Sequence, residues 1–310
     1  MFTRMRAPGV RFALLVLLGS AACSRPTGDA TDGVDPRLVA TVNEPLRAIA
    51  ARIAGDAFDV EYPGPPDEDP AFWKPDGPAL DRYRAAAVIL LNGAGYAKWT
   101  GQAALPFARS VDTSAGFSDR LLDDEGAVTH SHGPDGEHHH GETAFTTWID
   151  PSLLAEHAAA VRSALAAARP DAAAAIESRY DALRAEIETL DASVLALSAE
   201  RRAVPMLASH PVYQYLARRL GLDLRSVHLE PDVVPDEAGW AALDALLFVH
   251  PARLMLWEGE PAPETRAGLA ARGVGVVRFD PCGAASPAGG FLAAQRANFD
   301  RLAAALAELP

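Results

Sequence analysis

Short apolar runs alternate with helical patterns along the chain, and this alternation limits the possible folds more than any other feature of the sequence. In the first set, apolar runs at Leu38–Val42, Phe58–Tyr62 and Ala87–Leu91 predict strands. Helical patterns fill the connections, over Glu44–Ala54 and from about Pro78. Because parallel strands are joined by helical crossovers, this order predicts a parallel sheet with flanking helices.

A second set of the same kind occupies the C-terminal third of the chain. Apolar runs predict strands at Val204–Ala208, Ser226–Leu229, Leu254–Trp257 and Val274–Phe279. Helices are predicted from Pro211 and over Glu237–Leu247. The fold class that follows is α/β, with two lobes that each contain a mainly parallel sheet and flanking helices.

One long helix is predicted between the two sets. Asp150-Pro151 opens a helix that runs to about Arg169, and Pro170-Asp171 opens the next. In this second helix the apolar residues recur at alternating spacings of four and three: Ile176, Tyr180, Leu183, Ile187, Leu190, Val194 and Leu197. A helix of about 28 residues would extend about 42 Å. A single copy of such a stripe predicts a rigid connecting helix along both lobes, with a coiled coil or an ordinary core helix as the alternative.

The N-terminus has the pattern of a secretory signal. Three arginines precede the apolar run 12–18, which is shorter than the roughly 20 residues needed to cross a bilayer. Residues 1–22 are therefore predicted to be a signal peptide, and Ser20-Ala21-Ala22-Cys23 resembles a bacterial lipobox, in which Cys23 is lipidated. Ordinary cleavage with Cys23 incidental is the alternative. Residues 23–36 would form a lipidated, flexible tether.

Charge and cysteine content exclude several classes of function. The net charge of −13 would become −16 once the signal peptide and its three arginines are removed. Without a lysine or arginine cluster, a nucleic-acid partner is not expected, and a cationic ligand is more natural. Only two cysteines, Cys23 and Cys282, are present, which excludes a disulfide framework. The chain also lacks P-loop, HExxH and GxSxG motifs, so we expect no enzyme.

A histidine-rich segment at residues 129–142 carries the strongest local signal. Five of the nine histidines lie within eleven positions: His130, His132, His138, His139 and His140. Such density in a loop with glycine and proline predicts metal binding by neutral imidazoles, a solvated polar loop being the alternative. The pattern leaves open whether the loop forms a tight site or gathers ions weakly.

Three more candidate ligands share one placement. His210, Glu258 and Asp280 each follow a predicted strand, at the sheet edge where α/β proteins bind ligands. An imidazole and two carboxylates predict a divalent site suited to zinc, manganese or iron, although each residue has an ordinary alternative as a cap or turn residue. Cys282 is a possible soft auxiliary ligand but is more typical of a small buried side chain. The remaining histidines, His157, His228 and His250, are predicted to be surface or capping residues.

Several motifs together resemble one known family. They are, in chain order, Ala50–Gly55, Asp69-Pro70 with Lys74-Pro75, Leu90–Gly95, the histidine-rich loop, Trp148–Pro151, Ser209-His210 with Tyr215–Gly221, Trp257-Glu258, and Phe279–Pro281. Their order and spacing resemble the metal-binding solute-binding lipoproteins of bacterial zinc and manganese ABC importers. The resemblance covers nearly all of the mature chain. It implies two α/β lobes joined by one long helix, with the metal held between them.

The chain departs from the family pattern at two positions. Members usually have a metal-binding histidine after the first Asp-Pro, where this chain has Ala71, and another before Trp-Ile-Asp-Pro, where it has Thr146. His210, Glu258 and Asp280 resemble the remaining ligands of the family. Three explanations stay open. The loop histidines replace the missing ligands; Glu68, Asp69 or a nearby acid supplies oxygen and favours manganese; or the site binds a metal chelate or another solute.

The sequence and the resemblance together predict an extracytoplasmic lipoprotein, in the periplasm or at the cell surface, that captures Zn²⁺ or, alternatively, Mn²⁺. Its partners would be an ABC permease and, through Cys23, the membrane, and a monomer is expected. A metallochaperone or sensor lipoprotein is the alternative. The expected divisions are an N-terminal lobe at 37–169, the long helix at 170–199 and a C-terminal lobe at 200–310.

Overall fold

The first sheet is parallel and lies in the N-terminal half. The structure is a computed structural model that describes residues 33–66, 68–123, 143–201, 204–230, 233–285 and 289–309, with the backbone only for 198–201. The strands are β1 (Asp35–Thr41), β2 (Asp59–Glu61), β3 (Ala86–Leu91) and β4 (Ser110–Asp112), in the order β2-β1-β3-β4. Val39 at the centre of β1 pairs with Val60 of β2 and Val88 of β3. Helices α1 (Glu44–Ala54) and α2 (Gly77–Ala85) form the crossovers.

The connecting segment consists of α3 (Pro151–Ala168) and the long helix α4 (Ala173–Arg201). The Asp150 carboxylate caps α3 by accepting a hydrogen bond from the Ser152 N–H at 2.9 Å, as the sequence predicts. In α4, the six residues of the stripe from Ile176 to Val194 are at most 8% exposed, and Leu197 is half-buried. The stripe therefore faces the core of the molecule.

The second sheet repeats the topology of the first. Its strands are β5 (Pro205–Ala208), β6 (Asp223–Ser226), β7 (Leu254–Trp257) and β8 (Gly275–Arg278), in the order β6-β5-β7-β8, and all are parallel. The helices of this half are α5 (Gln214–Leu220), α6 (Glu237–Val249), α7 (Pro263–Ala271) and α8 (Phe291–Ala307). The α/β fold with two parallel sheets and flanking helices is confirmed.

Some elements differ from the sequence prediction. The prediction of a strand at Ser226–Leu229 is wrong, because β6 ends at Ser226 and residues 227–230 lie beyond its carboxyl end. Strand β4 and helices α7 and α8 were not predicted. Strand β4 has only three residues, Ser-Val-Asp, which form no apolar run.

The described residues from 34 to 309 belong to one compact unit. A single buried cluster includes Val39 and Ile89 from the first sheet, Met206 and Leu256 from the second, and Ile187 of α4. The opposite face of the second sheet, including Leu207, packs in a smaller cluster. Both faces of that sheet are thus covered, as parallel sheets require. Within the described ranges, no helix has the length and apolar character needed to cross a bilayer.

Candidate functional site

The three strand-end candidates lie in a row along one edge of the second sheet. His210 follows β5 after Ser209, Glu258 directly follows β7, and Asp280 follows β8 after Phe279. Because β5, β7 and β8 are neighbours in the sheet, the three residues occupy adjacent positions at its carboxyl edge. The strand order reverses between β5 and β7, and such reversal points are where open α/β sheets bind ligands.

Negative charge accumulates at this edge. Burial, and then the charges of Asp69, Asp280 and Glu230, raise the pKa of Glu258 to about 7. The pKa of the buried Tyr213 phenol is also raised, first by burial and then by Glu258 and Asp280. A carboxyl group whose neighbours are other carboxyl groups favours the approach of a cation, which would relieve their repulsion.

Asp280 is held in place by helix α8. Its backbone N–H donates to Oδ1 of Asn298 at 3.1 Å, and Nδ2 of Asn298 donates to the Asp280 carbonyl at 2.7 Å. Oδ1 of Asp280 accepts a hydrogen bond from the Cys282 N–H at 2.8 Å. The buried Asn298 therefore orients a candidate ligand through its backbone, in the manner of outer-sphere residues around metal sites.

Cys282 is not suited to act as a soft ligand of a metal ion. Its side chain is buried, and burial, followed by the charge of Asp280, raises the pKa of the thiol to about 12. Since the thiolate is the form that binds metals, a protonated Cys282 behaves as a small buried side chain.

Asp69 of the first lobe is linked electrostatically to residues of this edge. Burial by the surrounding protein raises the pKa of its carboxyl group, while the Ala71 N–H and the charge of His210 act in the opposite direction. The Ala71 N–H donates to Oδ1 of Asp69 at 2.9 Å. Asp69 thus lies within electrostatic reach of both His210 and Glu258.

The two positions that depart from the family pattern are buried and carry no imidazole. Ala71 is 6% exposed and has no donor atom in its side chain. Thr146 is 5% exposed, and its hydroxyl donates to the Val212 carbonyl of the second lobe at 2.5 Å. The hydroxyl of Thr146 is thus engaged in a hydrogen bond between the lobes.

The carboxyl edge of the first sheet carries neutral amides. Asn43 follows β1 and Asn92 follows β3, and Nδ2 of Asn43 donates to Oδ1 of Asn92 at 3.1 Å. Asn43 also caps α1 by accepting from the Leu46 N–H, and Asn92 donates to the Phe145 carbonyl. These amides hold loops of the first lobe together.

The structure places the three remaining histidines in different environments. His157 is 1% exposed and lies inside α3, so its prediction as a surface or capping residue is wrong. His250 is the C-cap residue of α6, as expected. His228 is exposed, but its ring lies beside that of His210 with centroids 5.5 Å apart. The sequence reasoning missed this proximity because it placed His228 inside a strand.

The histidine-rich loop candidates, His130, His132, His138, His139 and His140, lie outside the described residues, as does Cys23. Among the residues that are described, no three histidine, cysteine, aspartate or glutamate side chains are already arranged to bind a metal ion. The edge therefore brings candidate ligands near one another without forming a closed coordination shell.

Comparisons with known proteins agree with the fold. The profile of the family described as ZnuA, zinc-uptake complex component A, periplasmic, matches residues 39–305. No curated protein sequence matches significantly.

Several solved structures have the same fold at low sequence identity. The metal-dependent lipoprotein YcdH from Bacillus subtilis is similar with a TM-score of 0.73 and 19% identity, over 86% of this chain and 98% of that one. Zn(II)-bound AdcA from Streptococcus pneumoniae has a TM-score of 0.71 and 18% identity, over 86% of this chain and 57% of AdcA. The SBP FpvC from Pseudomonas aeruginosa, in complex with Ni²⁺, has a TM-score of 0.70 and 18% identity, over 87% of this chain and 97% of FpvC. Likeness at this level of identity shows a shared fold.

Proposed function

This chain belongs to the ZnuA family of periplasmic zinc-uptake components, and from that premise we propose that it captures a divalent transition metal outside the cytoplasm for an ABC importer. Zinc is the first candidate and manganese the second. The ABC permease would be its partner, and a lipid on Cys23 would attach it to the membrane. The proposed role is binding and delivery, without a catalytic step.

The observation that carries this proposal is the convergence of ionisable groups at the second-sheet edge. Asp69 from the first lobe lies within electrostatic reach of His210 and Glu258, and Asp280 contributes a further carboxylate. Imidazole and carboxylate are the ligands that zinc and manganese accept in proteins. We assign His210, Glu258 and Asp280 as ligands from the second lobe.

The remaining ligands are proposed to come from one of two sources. Imidazoles of the loop, from His130 and His132 or from residues 138–140, would complete a typical four-ligand zinc site. Alternatively, Asp69 would supply an oxygen, which shifts the preference of the site toward manganese.

A metal chelate is the alternative to a bare metal ion as the ligand. Ala71 and Thr146 are buried and carry no imidazole at the two positions where the family pattern has histidines. These residues favour a chelate, because a chelator would bring its own donor atoms. Loss of affinity for the bare ion, with retention of a chelated ion, would support this candidate over the first.

Metal retention by the purified mature protein tests the proposal. After equilibration with zinc and desalting, we expect one equivalent to remain by elemental analysis. Glu258→Gln should weaken zinc binding about 10-fold or more, because it removes a charged oxygen ligand. Glu260→Gln, at an exposed position two residues further on, is the matched control and should bind like the parent protein. Absence of stoichiometric zinc or manganese in the parent protein would contradict the proposal.

Deletion of residues 130–140 separates the two ligand sources. A large loss of zinc affinity is expected if the loop imidazoles complete the site. An unchanged affinity would reject the loop as a source and leave Asp69 as the ligand from the first lobe.

A further inference from the structure

Every strand of the second sheet is followed by a residue that can bind a metal. In the order β6-β5-β7-β8, the residues beyond the carboxyl ends are His228, His210, Glu258 and Asp280. The last three are predicted from the sequence, and His228 extends the row by one strand. The nitrogen donors lie at one end of the row and the oxygen donors at the other.

The backbone beyond β6 fixes where His228 points. The N–H groups of its neighbours donate across to the segment that leads into His210: Val227 to the Ala208 carbonyl at 2.9 Å, and Leu229 to the Ser209 carbonyl at 2.8 Å. Both neighbours are buried in the core cluster on one face of the sheet. Because side chains alternate along extended backbone, His228 is directed away from that core. It is exposed, as the alternation requires.

The two rings have a separation that suits one ion. Their centroids are 5.5 Å apart and their planes are inclined at 76°. Two imidazoles bound to one tetrahedral zinc ion through Zn–N bonds of about 2 Å have ring centroids about 5 Å apart. A small side-chain adjustment would therefore bring one nitrogen from each ring to a shared ion.

Resting on the proposed function, we propose that His228 is a metal ligand that acts together with His210, so that the second lobe supplies two imidazoles to the site. Glu258 and Asp280 follow in the same row, beyond the carboxyl ends of the neighbouring strands β7 and β8. The proposed site thus includes the residue beyond β6 together with those beyond the other three strands of the sheet. A second imidazole from the second lobe would explain how the chain binds metal although Ala71 and Thr146 stand where the family pattern has histidines.

Two substitutions at position 228 distinguish coordination from packing. His228→Ala removes both the ring and its nitrogens, whereas His228→Phe keeps an aromatic ring beside His210 and removes only the nitrogens. We expect both variants to bind zinc about 10-fold to 100-fold more weakly than the parent protein. The number of zinc-bound histidines, counted by long-range ¹H–¹⁵N NMR with one equivalent of zinc, should fall by one in each variant.

The same two variants are also made in a chain that lacks residues 130–140. This deletion prevents loop imidazoles from replacing the missing ring. Unchanged affinity and an unchanged histidine count would overturn the proposal. So would normal affinity in His228→Phe with weak binding in His228→Ala, because that result assigns His228 a packing role. If the parent protein itself retains no zinc, the proposed function fails, and the metal content of the parent shows this separately.

Discussion

His157 shows at the scale of one residue how burial determines the state of a titratable group. Its Nδ1 lies 2.7 Å from Oγ1 of Thr113, and its Nε2 lies 2.8 Å from Oγ1 of Thr147. A neutral imidazole can donate through one nitrogen and accept through the other, which satisfies both contacts. Burial lowers the pKa of the ring to about 3. His157 is therefore a neutral structural bridge between the end of β4 and the start of α3.

Protonation of His157 is expected to destabilise the fold in mild acid. The pKa is near 6.5 in the unfolded chain and lower in the folded one, so the stabilisation is present above pH 6.5 and is lost as the pH falls toward 3. Between pH 7 and pH 5 this one group should remove about 2 kcal/mol from the free energy of unfolding.

Urea denaturation at pH 7 and pH 5 measures this effect. The His157→Gln variant supplies an amide that can donate and accept hydrogen bonds in place of the imidazole, and it has no proton to gain, so it should lose less stability than the parent protein over this interval. Equal losses in the two proteins would show that His157 does not contribute to the pH dependence.

Helix α4 illustrates what one element contributes. Its stripe contacts the same core as both sheets, and the Arg219 guanidinium of α5 is held to Asp191 on α4 by a hydrogen bond from Nε to Oδ1 at 2.8 Å. A helix of 29 residues extends about 43 Å. Because the stability of α4 depends on the packing of this stripe, substitutions on the buried and exposed faces of the helix should differ strongly in their effect on the free energy of unfolding.

Leu183→Ala and Leu195→Ala make the same chemical change on the two faces of α4. Leu183 is fully buried, and its truncation should cost about 2–5 kcal/mol through lost burial and a cavity. Leu195 is 42% exposed, and its truncation should cost less than about 1 kcal/mol. Equilibrium denaturation compares the two variants, and similar losses would contradict the role given to the stripe.

At the scale of the whole molecule, the two sheets are joined by a common core and by hydrogen bonds between the lobes. Nε1 of Trp148 donates to the Pro281 carbonyl at 2.8 Å, and the Tyr215 hydroxyl donates to the Ala144 carbonyl at 2.7 Å. The Glu44 N–H donates to the Gly283 carbonyl at 2.9 Å. Separation of the lobes would therefore expose buried polar groups as well as apolar surface.

We expect unfolding in a single cooperative transition. Denaturation followed by far-ultraviolet circular dichroism should coincide with denaturation followed by tryptophan fluorescence, which reports on five tryptophans, among them Trp148 in the first lobe and Trp257 in the second. Two resolved transitions would show that the lobes unfold independently and that the shared core contributes little to cooperativity.

The sequence by itself determined the elements with strong local signals. Helix α1, strand β7 and the stripe of α4 lie where periodicity and capping residues predict them, because these signals act between neighbours in the chain. The placement of His210, Glu258 and Asp280 beyond strand ends followed from the same local reasoning.

Only the tertiary structure decided which groups meet. The Thr146 hydroxyl donates to the Val212 carbonyl, and the His228 ring lies beside that of His210. The charge of His210 also acts on the Asp69 carboxyl group, so in each case residues that are separate in sequence influence one another. The boundary of β6 also depended on its neighbour, since residues beyond Ser226 are apolar enough to resemble a strand but leave the parallel register with β5. Long-range contacts depend on how sheets and helices pack, and local patterns carry no direct record of that packing.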